Sequence, residues 1–236
     1  MQTNLSKTFS FGGLVFLILS TMSLPVAAQT IQTVKSFKEY QHMVALDSSK
    51  RMVSLSSIPS VKFDLRYASS NNFVHRPMYP TGTTKTFLRL PAAKALKKAA
   101  AEFYSNGYGI RIFDAYRPYS VTVKFWELIK DERYVANPAK GSGHNRGIAV
   151  DLTIYDLKTG KELDMGTGFD NFTDTAHSDF NFLPQRILQN RQLLRNTMEK
   201  YGFKVLQTEW WHFYLPDSDK FEVLDIDIKK LGKKIN

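Results

Sequence analysis

One stretch limits the folds open to this chain more than any other. Residues 148–154 read Ile-Ala-Val-Asp-Leu-Thr-Ile. Large apolar side chains hold the even positions, while Ala149, Asp151 and Thr153 hold the odd ones. A period of two is the mark of a strand, and its apolar face must be covered by another layer. The opposite face centres a carboxylate, which is costly to bury without a partner. A metal, a cation or solvent must satisfy Asp151.

The rest of the chain supplies the layers. Residues 61–67 alternate apolar and charged residues and predict a half-buried strand. A turn at residues 69–72 and a loop marked by Pro77, Pro80 and Gly82 follow. Residues 91–107 (PAAKALKKAAAEFYSNG) predict a helix that opens on proline and closes at Asn-Gly. Its apolar face holds Leu96, Ala99, Ala100, Phe103 and Tyr104. Residues 110–113 predict a strand running into Asp114-Ala115-Tyr116-Arg117-Pro118. Ser120 reads as the N-cap of a second helix that buries Val121, Phe125, Trp126 and Ile129. A third helix spans 184–201, with Ile187, Leu194, Met198 and Tyr201 on one stripe, and residues 207–215 form an aromatic strand. Strands and helices do not strictly alternate. The expected class is α+β, with a central, mainly antiparallel sheet and helices packed to one side. No internal repeat or low-complexity tract interrupts it.

With 236 residues, the chain is long enough for one real core. Its 43 % apolar and 23 % charged residues exclude collagen, coiled coil and bulk disorder. Residues 11–28 (FGGLVFLILSTMSLPVAA) follow a single basic residue, Lys7, and end in small residues. This is the pattern of a secretory signal peptide cleaved after Ala28. A membrane anchor fits less well, because the apolar run is short and Pro25 interrupts it. The expected organisation is a signal peptide over 1–28, a polar lead-in segment over 29–56 and one catalytic domain over 57–236. The expected location is across the inner membrane, in the periplasm, with no stable membrane span after cleavage. Cysteine is absent, which removes disulfides, thiolate metal sites, a cysteine nucleophile and the usual bacterial lipid anchor. A formal charge of +10 suits an anionic partner, such as nucleic acid, a membrane surface or an acidic cell-wall polymer. Nucleic acid is disfavoured, because no basic helix or aromatic–basic motif accompanies the charge. The basic tail at residues 229–234 (KKLGKK) reads as a solvated, frayed terminus.

Two of the five histidines keep unusual company. Ser142-Gly143-His144-Asn145-Arg146-Gly147 leads directly into the strand bearing Asp151, and Glu209-Trp210-Trp211-His212 lies in the last strand. Each residue alone reads as an ordinary packed or solvated side chain. Together, His144, Asp151 and His212 offer two imidazoles and a carboxylate, a zinc ligand set with an open fourth position. Glu209 is the candidate general base. In an ideal strand Glu209 and His212 point to opposite faces, so both reach one site only if the strand twists, bulges or ends there. Arg117, extended before Pro118 at a strand end, is the candidate oxyanion stabiliser. The competing reading of Arg117 is a structural ion pair with Asp114.

These segments resemble the D-alanyl-D-alanine dipeptidases, a family of zinc peptidases. The matching pieces are Asp64-Leu65-Arg66-Tyr67-Ala68 with Asn72-Phe73, then Asp114-Ala115-Tyr116-Arg117-Pro118 and the stretch from Ser142 through Thr153. Met165-Gly166 with Phe169-Asp170, and Glu209-Trp210-Trp211-His212, complete the set. The resemblance implies one zinc ion on His144, Asp151 and His212, with Glu209 as base and Arg117 as transition-state stabiliser. It implies that Asp170 receives the free ammonium of D-Ala-D-Ala, and that Ser142 and Tyr67 line the substrate pocket. His177 has a counterpart in the family and is given no role here. The implied reaction is hydrolysis of the free dipeptide to two D-alanines. The alternative is a secreted zinc D,D-carboxypeptidase or endopeptidase acting on peptidoglycan stems, helped toward the anionic wall by its charge.

Overall fold

The period-two stretch forms the middle strand of a five-stranded sheet in the computed structural model, which describes residues 31–235. The signal peptide expected over 1–28 lies outside the described residues. In chain order the elements are β1 (Thr33–Val34), α1 (Phe37–Leu46), β2 (Met52–Ser54), β3 (Val61–Phe63), β4 (Phe87–Arg89) and α2 (Leu90–Ser105). These are followed by β5 (Tyr108–Asp114), α3 (Tyr119–Ile129), α4 (Gly143–Arg146), β6 (Ala149–Asp156) and α5 (Gln185–Lys200). The chain closes with β7 (Lys204–Leu206), β8 (Glu209–Tyr214), β9 (Val223–Leu224) and α6 (Ile228–Ile235).

The main sheet runs β3-β5-β6-β8-β7. Only the β3–β5 pair is parallel, so the sheet is mainly antiparallel, as expected. Val150, Leu152 and Ile154 bury against Leu96, Ala99 and Phe103 of α2 and Leu194 and Met198 of α5. Tyr104 departs from the expected face of α2 and is exposed. Two small sheets, β1 with β9 and β2 with β4, lie outside the main one. A second apolar cluster gathers Tyr40 and Met43 of α1, Val121 and Phe125 of α3, and Ile228 and Leu231 of α6. No helix among the described residues is long and apolar enough to cross a membrane.

Four local expectations need correction. The strand expected over 61–67 stops at Phe63, and a 3-10 turn at Arg66–Ala68 follows, burying Tyr67. Helix α3 begins one residue before Ser120, and Ser120 is not its cap. Instead Asp225, far along the chain, accepts the Ser120 backbone N–H at 2.9 Å. The lead-in segment is folded where it is described. It contributes α1 and β2, and Tyr40, Met43, Met52 and Leu55 are buried. The basic tail is helix α6, with Ile228, Leu231 and Gly232 buried. The expectation of a frayed end fails because those residues find a place in the second cluster.

Candidate active site

Three adjacent strands build the floor of the site. Asp114 on β5 pairs in register with Asp151 on β6, and Asp151 pairs with His212 on β8. A register shift between Ile112 and Asp114 gives β5 one extra residue before that pairing, which turns Asp114 onto the row. His144 arrives from the turn before β6. Its short helix α4 is opened by a capping box, in which the Ser142 hydroxyl accepts from the Asn145 N–H and Asn145 Oδ1 accepts from the Ser142 N–H. Gly147 closes it at φ +72°, a conformation glycine adopts without strain, and sends the chain into β6.

The three proposed ligands converge. His144 Nε2 lies 3.2 Å from His212 Nδ1 and 3.3 Å from Asp151 Oδ2, and His212 Nδ1 lies 3.0 Å from Asp151 Oδ1. The other nitrogen of His144, Nδ1, lies 2.7 Å from the Ala115 carbonyl oxygen and donates to it. That bond leaves the Nε2 lone pair facing the Asp151 carboxylate. Two acceptors face to face need a proton or a cation between them. Two imidazole nitrogens and a carboxylate, one imidazole oriented by a backbone carbonyl, fit zinc. Burial works to raise the Asp151 carboxyl, but the two imidazoles outweigh it and hold Asp151 below the usual carboxylate range.

Glu209 and Arg117 flank this group. Glu209 Oε2 lies 3.8 Å from His212 Nδ1, although the two residues are three apart. Glu209 is the first residue of β8, where the register against β7 shifts. The strand-face conflict expected from the sequence is resolved by that irregularity. Burial, then the nearby Asp151 and Asp170 carboxylates, push the Glu209 carboxyl well up. Arg117 satisfies both readings of the sequence. Its Nε donates to Asp114 Oδ2 at 2.9 Å, Nη2 forms an ion pair with the same oxygen at 2.9 Å, and Nη2 lies 3.8 Å from Asp151 Oδ2. Its guanidinium sits 5.0 Å from the ring centres of both Tyr67 and Phe125. Burial opposes its charge, but Asp114 keeps it protonated.

Asp170 stands across the cavity on the loop before α5. It adopts φ +59°, uncommon for a residue with a side chain. Tyr67 donates its hydroxyl to Asp170 Oδ1 at 3.0 Å, while Oδ2 is closed off from solvent with no partner. Burial pushes this carboxyl up to about 7, against the Tyr67 hydrogen bond. Tyr67, Arg117, Ser142, His144, Asp151, Asp170, Glu209 and His212 all line one cavity of about 290 Å³, so the structure brings together every site residue named from the sequence.

Three supporting residues were not foreseen. Asp114 entered only as a possible ion-pair partner, yet it fixes Arg117. Tyr79 donates to Asp114 Oδ1 at 2.5 Å, and nothing in its sequence surroundings marks it. Arg191 is buried and donates to the carbonyls of Met165, Thr175 and His177, tying both ends of the loop that carries Asp170. Its signal was present, because Arg191 interrupts the apolar stripe Ile187–Leu194–Met198 at helical spacing. His177 contributes a backbone carbonyl to that clamp.

The profile of a peptidase family described as D-ala-D-ala dipeptidase matches residues 48–229. The D-alanyl-D-alanine dipeptidase of Escherichia coli K12 is 33% identical over 180 residues, covering 76% of this chain and 92% of its own. That of Enterococcus faecium is 32% identical over 178 residues, covering 68% and 88%. Among solved structures, an LD-carboxypeptidase is 19% identical and covers 78% of each chain, with a TM-score of 0.40.

Proposed function

Because the chain belongs to the D-ala-D-ala dipeptidase family of zinc peptidases, we propose that it hydrolyses the free dipeptide D-Ala-D-Ala to two D-alanines. His144, Asp151 and His212 would hold one zinc ion. When bound, zinc polarises the scissile carbonyl and makes water a stronger nucleophile near neutral pH. Glu209 takes the proton of the attacking water and delivers it to the leaving nitrogen. Its raised affinity for a proton, set by burial and two neighbouring carboxylates, suits both transfers. Arg117 donates to the carbonyl oxygen as negative charge builds there, and Asp114 holds the guanidinium in place. Ser142 keeps its hydroxyl proton free for substrate, because its oxygen already accepts from Asn145.

The observation that carries the dipeptide reading is the Asp170 carboxylate. One oxygen is bound by Tyr67 and the other is buried and empty-handed. A substrate ammonium would satisfy it, whereas an acylated nitrogen would leave a buried charge unpaired. This favours the free dipeptide over stem peptides whose nitrogen is acylated. The leader read from the sequence supports action outside the inner membrane, on dipeptide released there. The test is an assay on D-Ala-D-Ala and on its N-acetyl form, each with and without chelator. Chelator-sensitive turnover confined to the free dipeptide is the expected result. Comparable turnover of the acetylated form assigns the protein instead to the carboxypeptidases of the cell wall and removes the role given to Asp170.

A further inference from the structure

Arg89, on β4, is wholly buried, and among the described residues a single carboxylate, that of Glu222, stands near it, at 4.0 Å. Burying a cation with so little countercharge is costly unless its donors are met. Burial pushes the guanidinium down to about 10, so it still carries its charge at neutral pH. Its donors go to backbone carbonyls. Nε donates to the Arg146 carbonyl at 2.9 Å, Nη2 to the Glu222 carbonyl at 3.0 Å, and Nη1 to the Lys50 carbonyl. The Arg89 backbone N–H donates to the Gly147 carbonyl at 2.7 Å. One residue thus ties together the segment before β2, the end of α4 and the segment before β9.

Arg146 and Gly147 close the turn that carries His144. Helix α4 is one turn long, and one turn does not hold itself in water. Its N-terminal end is fixed by the capping box and by Asn145 Nδ2, which donates to the Arg117 carbonyl at 2.9 Å and to Thr122 Oγ1 at 2.8 Å. Its C-terminal end is fixed by the two Arg89 bonds. The packing there is close. A Cβ at Gly147 would lie 2.9 Å from Met52 Sδ and 3.3 Å from Arg89 Cγ, and Met52 and Arg89 are themselves partners in the β2–β4 pair. A shift at Arg146 would therefore carry the His144 imidazole away from Asp151 and His212. A buried arginine that only held the fold would change stability and leave that geometry alone. Arg191 is such a case. It too is buried and donates to three carbonyls, but those flank Asp170 across the cavity.

We propose that Arg89 is a positioning residue for the metal: by pinning the end of α4, it sets how tightly His144, Asp151 and His212 hold zinc. This rests on the zinc reading given above. The test measures zinc dissociation constants by competition with a zinc-sensitive chelating dye, in wild type, Arg89→Lys, Arg89→Met and Arg191→Ala. Wild type should bind one zinc per chain. Both Arg89 variants should bind it at least about tenfold more weakly, the scale found for groups that orient a metal ligand. Arg89→Met should lose more, because Arg89→Lys keeps the charge and can still reach a carbonyl. With zinc in excess, kcat of both should return close to wild type. Arg191→Ala should lose stability and keep wild-type zinc affinity. Unchanged affinity in the Arg89 variants, or an equal loss in Arg191→Ala, would overturn the proposal. A wild type that binds no zinc would remove the zinc reading, and this inference with it. Amide exchange of wild type decides the matter should the Arg89 variants fail to fold. Because coupling is reciprocal, added zinc should slow exchange at residues 50–52, 146–147 and 222–224 more than at 175–177 beside Arg191. Equal slowing in both regions would overturn the proposal.

Discussion

The floor of the cavity and its Asp170 corner are built in opposite ways. The floor residues Asp114, Asp151 and His212 stand in register on three hydrogen-bonded strands. The corner is made of loops. Tyr67 sits on a 3-10 turn, and Asp170 sits on a left-handed residue in a segment whose ends are tied by Arg191. Strands fix the position of a ligand atom through the whole sheet, and a pinned loop fixes it through a few side-chain bonds. On the proposed reading, the difference puts the chemistry on the sheet and substrate choice on contacts that can be altered singly.

Breaking the floor should cost most. Glu209→Gln keeps size and hydrogen bonding but removes the base, and kcat should fall about 10³-fold or more while metal analysis still finds one zinc per chain. Loss of zinc in that variant would mean that Glu209 is a ligand. Arg117→Ala should lower kcat about 10²- to 10³-fold with a smaller change in KM. Arg117→Lys should recover little, because one ammonium cannot reproduce both the Nε hydrogen bond and the Nη2 ion pair to Asp114.

The corner should respond in binding and stability before chemistry. Arg191→Ala leaves three carbonyls without their donor, and thermal or urea unfolding should report a loss of about 2–4 kcal/mol. KM should rise and kcat should change little. If kcat falls as far as in Arg117→Ala, the division between floor and corner is wrong.

Asp170 gives the most pH-specific effect. Its folded carboxyl titrates at about 7, above its ordinary 3.8, because burial penalises the charge. The folded state therefore holds a proton that the unfolded state has released between these values. Stability contributed by this group is present below about pH 4, declines through pH 7 and stays reduced above it. Asp170→Asn should remove that decline. Relative to wild type the variant should gain up to a few kcal/mol between pH 4 and pH 8, on the scale of about 1.4 kcal/mol for each pH unit. Asparagine tolerates the left-handed backbone, so strain will not mask the gain. Parallel stability curves for the two proteins would contradict the buried charge.

The two regions also differed in how far they could be read from sequence. The floor was legible because its signals are local. Asp151 centres the polar face of a period-two strand, and His144 lies in the turn that leads directly into that strand. The position of Glu209 was legible only as a conflict, since the register shift beside β7 depends on a neighbouring strand. Tyr67 was assigned to a strand, because the alternation of 61–67 does not reveal the 3-10 turn that buries it. Asp170, Ser142 and Tyr67 acquired roles from resemblance, not from spacing. Helix α6 was missed because two apolar residues among four lysines look solvated until the distant Phe87 side and α1 supply a surface to cover. The cap of α3 was missed for the same reason, since Asp225 lies 105 residues from Ser120.

The central claim is that a strand-built metal floor hydrolyses whatever the Asp170 corner admits. The most direct test is the ratio of kcat/KM for D-Ala-D-Ala to that for N-acetyl-D-Ala-D-Ala, in wild type and Asp170→Asn. The account predicts a high ratio in wild type that collapses in the variant, mainly through lost activity on the free dipeptide, with kcat on the acetylated form unchanged or raised. An unchanged ratio would contradict it and place ammonium recognition elsewhere in the cavity.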